Sequence, residues 1–239
     1  MMPSVDPKPD DAPLHGYRGV GTPPPVLQRP QSFTIAISRE AGARGSSIAH
    51  AVGELLGWQV FSHDMLDYLT HDESAQAEFL KELSPPAQQW AELEWSRLLR
   101  RRELIPDSDT AAIARVIFTL AAKGEVVLVG RGAGFLLPPE TTVHVRIVAP
   151  IEQRIAYLSQ SLRLTELEAA VEAQNRDRRR DLFIGSLTDQ AIIDPTCYDL
   201  CVNSARQGLQ TTAELIAHVV RNKQLPAPSS SDFDLEALA

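Results

Sequence analysis

A chain of 239 residues with 44% hydrophobic content is long enough to bury a sizeable core and fits one domain with tails. Its net charge of −8 argues against a nucleic-acid binder working by general electrostatic attraction, so any anion site must be local. Two cysteines, Cys197 and Cys201, encode neither a disulfide framework nor a zinc site and are expected in the core; no apolar run reaches the roughly 20 residues of a membrane span, and without a basic-then-apolar leader the expected location is cytoplasmic.

Residues 1–31 are rich in proline and poor in aliphatics, the composition of a disordered leader. Its Pro23-Pro24-Pro25 run reads either as a polyproline II ligand or as solvated extension. Order begins with an apolar strand over 33–37, a Ser/Gly/Arg loop over 38–47 and a helix over 48–56 closed by Gly57. A short strand over 58–61 follows, with Ser62, His63 and Asp64 at its C-terminal end, where ligands sit in open α/β sheets. The next stretch is a long helical excursion, with helices expected over 65–69, 74–83, 86–104 and 111–123, an N-cap at Ser108 or Asp109 and a C-cap at Gly124. The run 125–130 is continuously apolar, as in a strand buried on both faces of a parallel sheet. A strand over 142–148, helices over 151–161 and 165–184, a strand over 198–202 and a closing helix over 211–222 complete the pattern, and 224–239 reads as a disordered tail. Strands alternating with helices predict a parallel α/β sheet in a βαβ layout.

Three clusters suit an anion. Against the phosphate-loop pattern G-x-x-x-x-G-K-[ST], residues 39–46 keep only the final serine. Gly42 and Gly45 still permit close backbone approach, Ser46 and Ser47 open the helix as hydroxyl donors or Mg²⁺ ligands, and Arg39 and Arg44 supply charge. The alternative is an ordinary strand-to-helix turn with serine as N-cap. At the tip of the most buried strand, Arg131 stands between Gly130 and Gly132, placed either to reach a ligand phosphate or to pair with a nearby carboxylate. On the 165–184 helix, Arg176, Arg179 and Arg180 share one face while Arg178 points elsewhere; that face either clamps a transferring phosphoryl group or is simply solvated.

Several of these segments together resemble a known family. The block 126–139 with its Gly130-Arg131 pair, the strand 143–148 with the Pro150-x-Glu152-x-Arg154 helix, the Asp177–Asp181 arginine run and the 194–203 segment are similar in order and content to the cytidylate kinase-like family, as is the opening 35–45 stretch. The resemblance covers about 34–223. It implies a three-layer P-loop nucleoside monophosphate kinase fold: a parallel sheet of about five strands with helices on both faces, a helical monophosphate-binding insertion (65–124) and a helical lid (163–190) within a domain spanning 32–223. It further implies that Gly42, Ala43, Arg44, Gly45, Ser46 and Ser47 cradle an ATP triphosphate, with Ser46 or Ser47 on Mg²⁺. Arg131, with His63 and Asp64, would take the acceptor, and Arg44, Arg131, Arg176, Arg179 and Arg180 would stabilise the transferring phosphate.

Two departures stand out: Gly45 occupies the place of the phosphate-loop lysine, and Ser62 stands where relatives carry an aspartate near the acceptor, so that either Asp64 replaces it or acceptor binding has changed. The expected function is ATP-dependent phosphoryl transfer to a nucleoside monophosphate, CMP or dCMP first, with small-molecule nucleotides as partners and neither nucleic acid nor membrane. A nucleotide-binding sensor without kinase activity, or a kinase for another small acceptor, are the alternatives.

Overall fold

The computed structural model describes residues 32–102, 108–187 and 193–224. The leader read at 1–31, the tail beyond Gln224 and the end of the lid at 188–190 lie outside the described residues.

Five strands, β1 (Thr34–Arg39), β2 (Gln59–Phe61), β3 (Val126–Val129), β4 (Thr142–Val148) and β5 (Leu200–Asn203), form one parallel sheet in the order β2-β3-β1-β4-β5. The continuous apolar run of β3 has a direct physical reason. Val126 and Leu128 pack on one face of the sheet, Val127 and Val129 on the other, and all four are buried. The chain leaves β1 toward β2 on one side and β3 toward β4 on the other, so a crevice opens between their C-terminal ends.

One face is covered by α1 (Gly45–Leu56) and α10 (Leu209–Gln224), whose Ile48, Val52, Ile216 and Val220 meet Ile35, Val143 and Val145 of the sheet. The other carries the helical excursion, α2 (His63–His71), α3 (Glu73–Glu82), α4 (Pro85–Arg102) and α5 (Asp109–Lys123). Ser108 caps α5 by accepting from the Ala111 N–H, and Gly124 closes it with φ 71°, as their residue types predict. Trp90 of α4 is 3% exposed and meets Phe118 edge to face at 6.3 Å, so it is core. Trp95 donates its Nε1–H to the Ala111 carbonyl.

Short helices α6 (Ala133–Leu136) and α9 (Ser204–Gln207) flank α7 (Ile151–Leu162) and α8 (Glu166–Leu187). A small third cluster, Ala41, Leu158, Ala169 and Ala173, packs α7 and α8 onto the loop after β1. Two expectations are corrected. Helix α2 starts at His63, so His63 and Asp64 form its first turn rather than a loop, with Ser62 as N-cap accepting from the Met65 N–H. Cys201 is exposed and Cys197 only partly buried, because β5 is an edge strand and the segment before it lies on the surface. Among the described residues no helix is long and apolar enough to cross a membrane.

Candidate functional site

The loops after β1, β2 and β3 converge with α8 around a cavity of about 720 Å³. Gly42, Arg44, Gly45, Ser46, Ser47, His63, Asp64, Arg131, Arg176, Arg179 and Arg180 all line it; Ala43 instead sits in the core, its carbonyl accepting from the Ser204 hydroxyl at 2.9 Å. Six arginines and two carboxylates, Glu40 and Asp64, make this wall cationic in a chain of net charge −8. Anion attraction is concentrated here by folding, not by composition.

The loop between β1 and α1 keeps the geometry of an anion cradle. Helix α1 begins at Gly45, with Arg44 at its N-cap in the left-handed conformation (φ 61°) and no side chain capping it. Neither Ser46 nor Ser47 acts as a cap, and no acidic residue stands in the first turn. The first-turn N–H groups therefore face the cavity side of the loop without a carboxylate or hydroxyl to satisfy them, and the positive end of the helix dipole is open to an anion. Gly42 (φ +82°) is required by contact as well as by conformation, since a Cβ there would lie 2.5 Å from the Arg154 carbonyl oxygen.

Residues without an assigned role in the sequence hold this loop in place. Asp177 of α8 accepts from the Ala41 N–H at 2.8 Å through Oδ1 and pairs with Arg154 at 2.7 Å through Oδ2. Arg154 also donates to the carbonyls of Ala41 and Ala149 and lies 3.5 Å from Glu40, whose carboxylate accepts from the Ala149 N–H. The signal for them was present in the Pro150-x-Glu152-x-Arg154 and Asp177 segments. Only the tertiary contact, across 136 residues from Ala41 to Asp177, gives that signal meaning.

Arg176, Arg179 and Arg180 face the cavity together, as their helical spacing predicts. Each has a carboxylate nearby: Arg176 donates to Glu172 at 2.6 Å, Arg179 lies 3.8 Å from the same group, and Arg180 donates to Asp177 at 2.7 Å. Burial lowers the Arg180 pKa and the neighbouring Arg176 adds to the effect, while Asp177 opposes it.

Arg131 combines both readings open to it. It lines the cavity and pairs with Asp67 of α2, with the Phe183 ring 5.6 Å from its guanidinium carbon. Its Nε is buried without a hydrogen-bond partner, so the guanidinium is only partly satisfied. The carboxylate facing Arg131 is thus Asp67, while Asp64 pairs with His63 at 3.2 Å on the rim. Burial lowers the His63 pKa; Asp64 opposes this, and Arg39 and Arg131 reinforce it.

Under the cavity, Ser38 and His144 form a buried pair at 3.0 Å. The other ring nitrogen, Nδ1, lies 2.9 Å from the Cys197 carbonyl, which can only accept, so Nδ1 carries the proton and Nε2 accepts from the Ser38 hydroxyl. Desolvation pushes the His144 pKa down to about 4, despite the hydrogen bond to Cys197 and the nearby Asp199. Phe135 and Tyr198 pack against its ring.

No group of three or more His, Cys, Asp or Glu among the described residues is arranged to hold a metal by itself. The hydroxyls of Ser46 and Ser47 at the cavity wall are hard oxygen donors of the kind Mg²⁺ takes when most of its shell is phosphate and water.

An uncharacterized protein from Eubacterium ventriosum shares 17% identity, with 80% of this chain and 99% of that one aligned at a TM-score of 0.56, a likeness of fold alone. TT1252 from Thermus thermophilus aligns at 14% identity over 80% of this chain and 97% of that one, TM-score 0.46. Shikimate kinase from Acinetobacter baumannii in complex with shikimate aligns at 11% identity over 82% and 97%, TM-score 0.42. No curated protein matches significantly in sequence. The cytidylate kinase-like family matches residues 34–206, a span that takes in all five strands, the glycine loop and the arginine-bearing helix, and the chain belongs to that family.

Proposed function

We propose that the protein is a kinase that transfers the terminal phosphate of ATP to a nucleoside monophosphate, CMP or dCMP first among acceptors. The observation that carries this reading is the convergence of an uncapped helix N-terminus, Arg131 and three arginines of α8 on one cavity. Membership of the cytidylate kinase-like family supports the nucleotide chemistry.

In this reading the triphosphate lies on the 42–47 loop and the N–H groups of the first turn of α1, with Ser46 and Ser47 the residues to hold Mg²⁺. A metal held there would supply positive charge against the charge that develops on the transferring phosphate. Arg131 takes the acceptor phosphate, exchanging its Asp67 partner for it, and Phe183 keeps the guanidinium in plane. A phosphate oxygen of the acceptor attacks the terminal phosphorus as the bond to the ADP oxygen breaks, so no covalent enzyme intermediate is needed. Catalysis then consists of alignment and charge stabilisation, supplied by Arg44, Arg176, Arg179 and Arg180. Docking of α8 on the loop through Asp177 serves to keep water from the transferring phosphate.

The test is purified protein with ATP, Mg²⁺ and a panel of nucleoside monophosphates, followed for diphosphate formation. Absence of any diphosphate above an enzyme-free control rejects the kinase. ATP binding by calorimetry with no turnover of any acceptor would instead mark a nucleotide sensor.

A further inference from the structure

The position of the missing phosphate-loop lysine is occupied by another side chain. Arg39 projects from the last residue of β1 and lines the cavity. A Cβ on Gly45 would lie 2.8 Å from the Cβ and 2.7 Å from the Cγ of Arg39. At the other end, a Cβ on Gly130 would lie 2.2 Å from Arg39 Nη1. The arginine thus runs from the head of α1 to the tip of β3, with a glycine cleared at each end. Its stem fills the space in which a side chain at 45 would begin.

Its charge is unusually placed. No described carboxylate forms an ion pair with it, whereas Arg131 and the lid arginines all have carboxylate neighbours. Burial, with Arg180 and Arg131 adding repulsion and the more weakly felt Asp64 and Asp177 opposing, pushes its pKa down to about 9, which still leaves a cation at neutral pH. A desolvated cation among like charges, open on a cavity, is stabilised by an anion that enters it. Arg44, the other cation of the loop, is exposed and lies 5.7 Å from the Tyr157 ring at the cavity rim.

We propose that Arg39 replaces the phosphate-loop lysine as the residue that grips the donor's terminal phosphates, with Gly45 and Gly130 kept small to let it lie across the loop. The inference rests on the kinase reading above. A planar guanidinium offers two parallel donors to a phosphate where a lysine offers a point charge, so the substitution changes geometry while keeping the charge.

The experiment measures binding of ATP and of inorganic tripolyphosphate by calorimetry, together with thermal unfolding and diphosphate formation. It compares wild type, Arg39→Gln, Arg39→Gly, Gly45→Lys and the double variant Arg39→Gly/Gly45→Lys. Arg39→Gln should lose at least tenfold in tripolyphosphate affinity and more in turnover, while its Tm holds or rises because a desolvated charge is gone. Gly45→Lys alone should also lose affinity, since its Cβ overlaps the Arg39 stem. The double variant, with the whole side chain at 39 removed and a lysine in the freed space, should recover at least tenfold over Arg39→Gly. Unchanged binding and turnover in Arg39→Gln, a fall in its Tm without loss of binding, or a double variant no better than Arg39→Gly would each overturn the proposal. Wild-type protein that binds neither ligand rejects the kinase reading and this inference with it; intact binding in Arg39→Gln rejects this inference alone.

Discussion

The buried His144 makes stability fall in acid by an amount that can be worked out. The imidazole is 5% exposed, held between the Ser38 hydroxyl and the Cys197 carbonyl, and its pKa is pushed down to about 4 from an ordinary 6.5. Above 6.5 it is neutral in both the folded and unfolded states, and no proton is exchanged on unfolding. Between 6.5 and 4 the unfolded chain binds a proton that the folded one refuses, so stability declines as pH falls through that window and the loss is complete below about 4. A shift of this size corresponds to about 3 kcal/mol. Other groups titrate in the same range, so the test is a difference: denaturant unfolding of wild type and His144→Gln at pH 7.5, 6, 5 and 4. Glutamine keeps an amide donor and a carbonyl acceptor but does not titrate. The stability advantage of wild type over the variant should shrink, or its deficit grow, by about 3 kcal/mol from pH 7.5 to 4. A difference independent of pH would refute the reasoning, showing that the native ring takes up its proton as easily as the unfolded one.

Three further outcomes follow from the site. Gly42→Ala should destabilise by roughly 2 kcal/mol in urea unfolding and abolish tripolyphosphate binding, because its φ of +82° is strained for alanine and its Cβ meets backbone that cannot yield. Asp177→Asn removes the charge that pairs with Arg154 and Arg180; with Glu40 still near Arg154 the loss should be about 1–2 kcal/mol, and limited proteolysis should cut within α8 sooner than in wild type. Tripolyphosphate at about 100 times its Kd should raise stability by about 2.7 kcal/mol, seen as an increase in Tm that sodium chloride of matched ionic strength does not reproduce. An unmoved Tm would mean that the arginine cavity does not select polyphosphate.

Much of this protein is legible from its residues in order. The two-sided burial of Val126–Val129, the glycine ends of α1 and α5 and the serine cap of α5 follow from side-chain chemistry within a few positions along the chain. For the same reason the common face of Arg176, Arg179 and Arg180 was predictable, since helical spacing sets it before any tertiary contact forms. The exposed Cys201 was not: its strand reads as apolar, but Val202 takes the core face, so the pleat points Cys201 to the opposite face, which is left uncovered at this edge of the sheet. Nor does sequence separate a charge that binds a ligand from one that holds the fold. Arg131 pairs with Asp67, Asp177 ties α8 to Ala41, and Arg39 reaches Gly130, each through a contact between segments far apart in the chain. Local spacing determined which residues are anion-suited; three-dimensional proximity decided which of them keep a partner and which, Arg39 above all, are left facing the cavity, because desolvation and Coulomb energy depend on distance in space and not on distance in sequence.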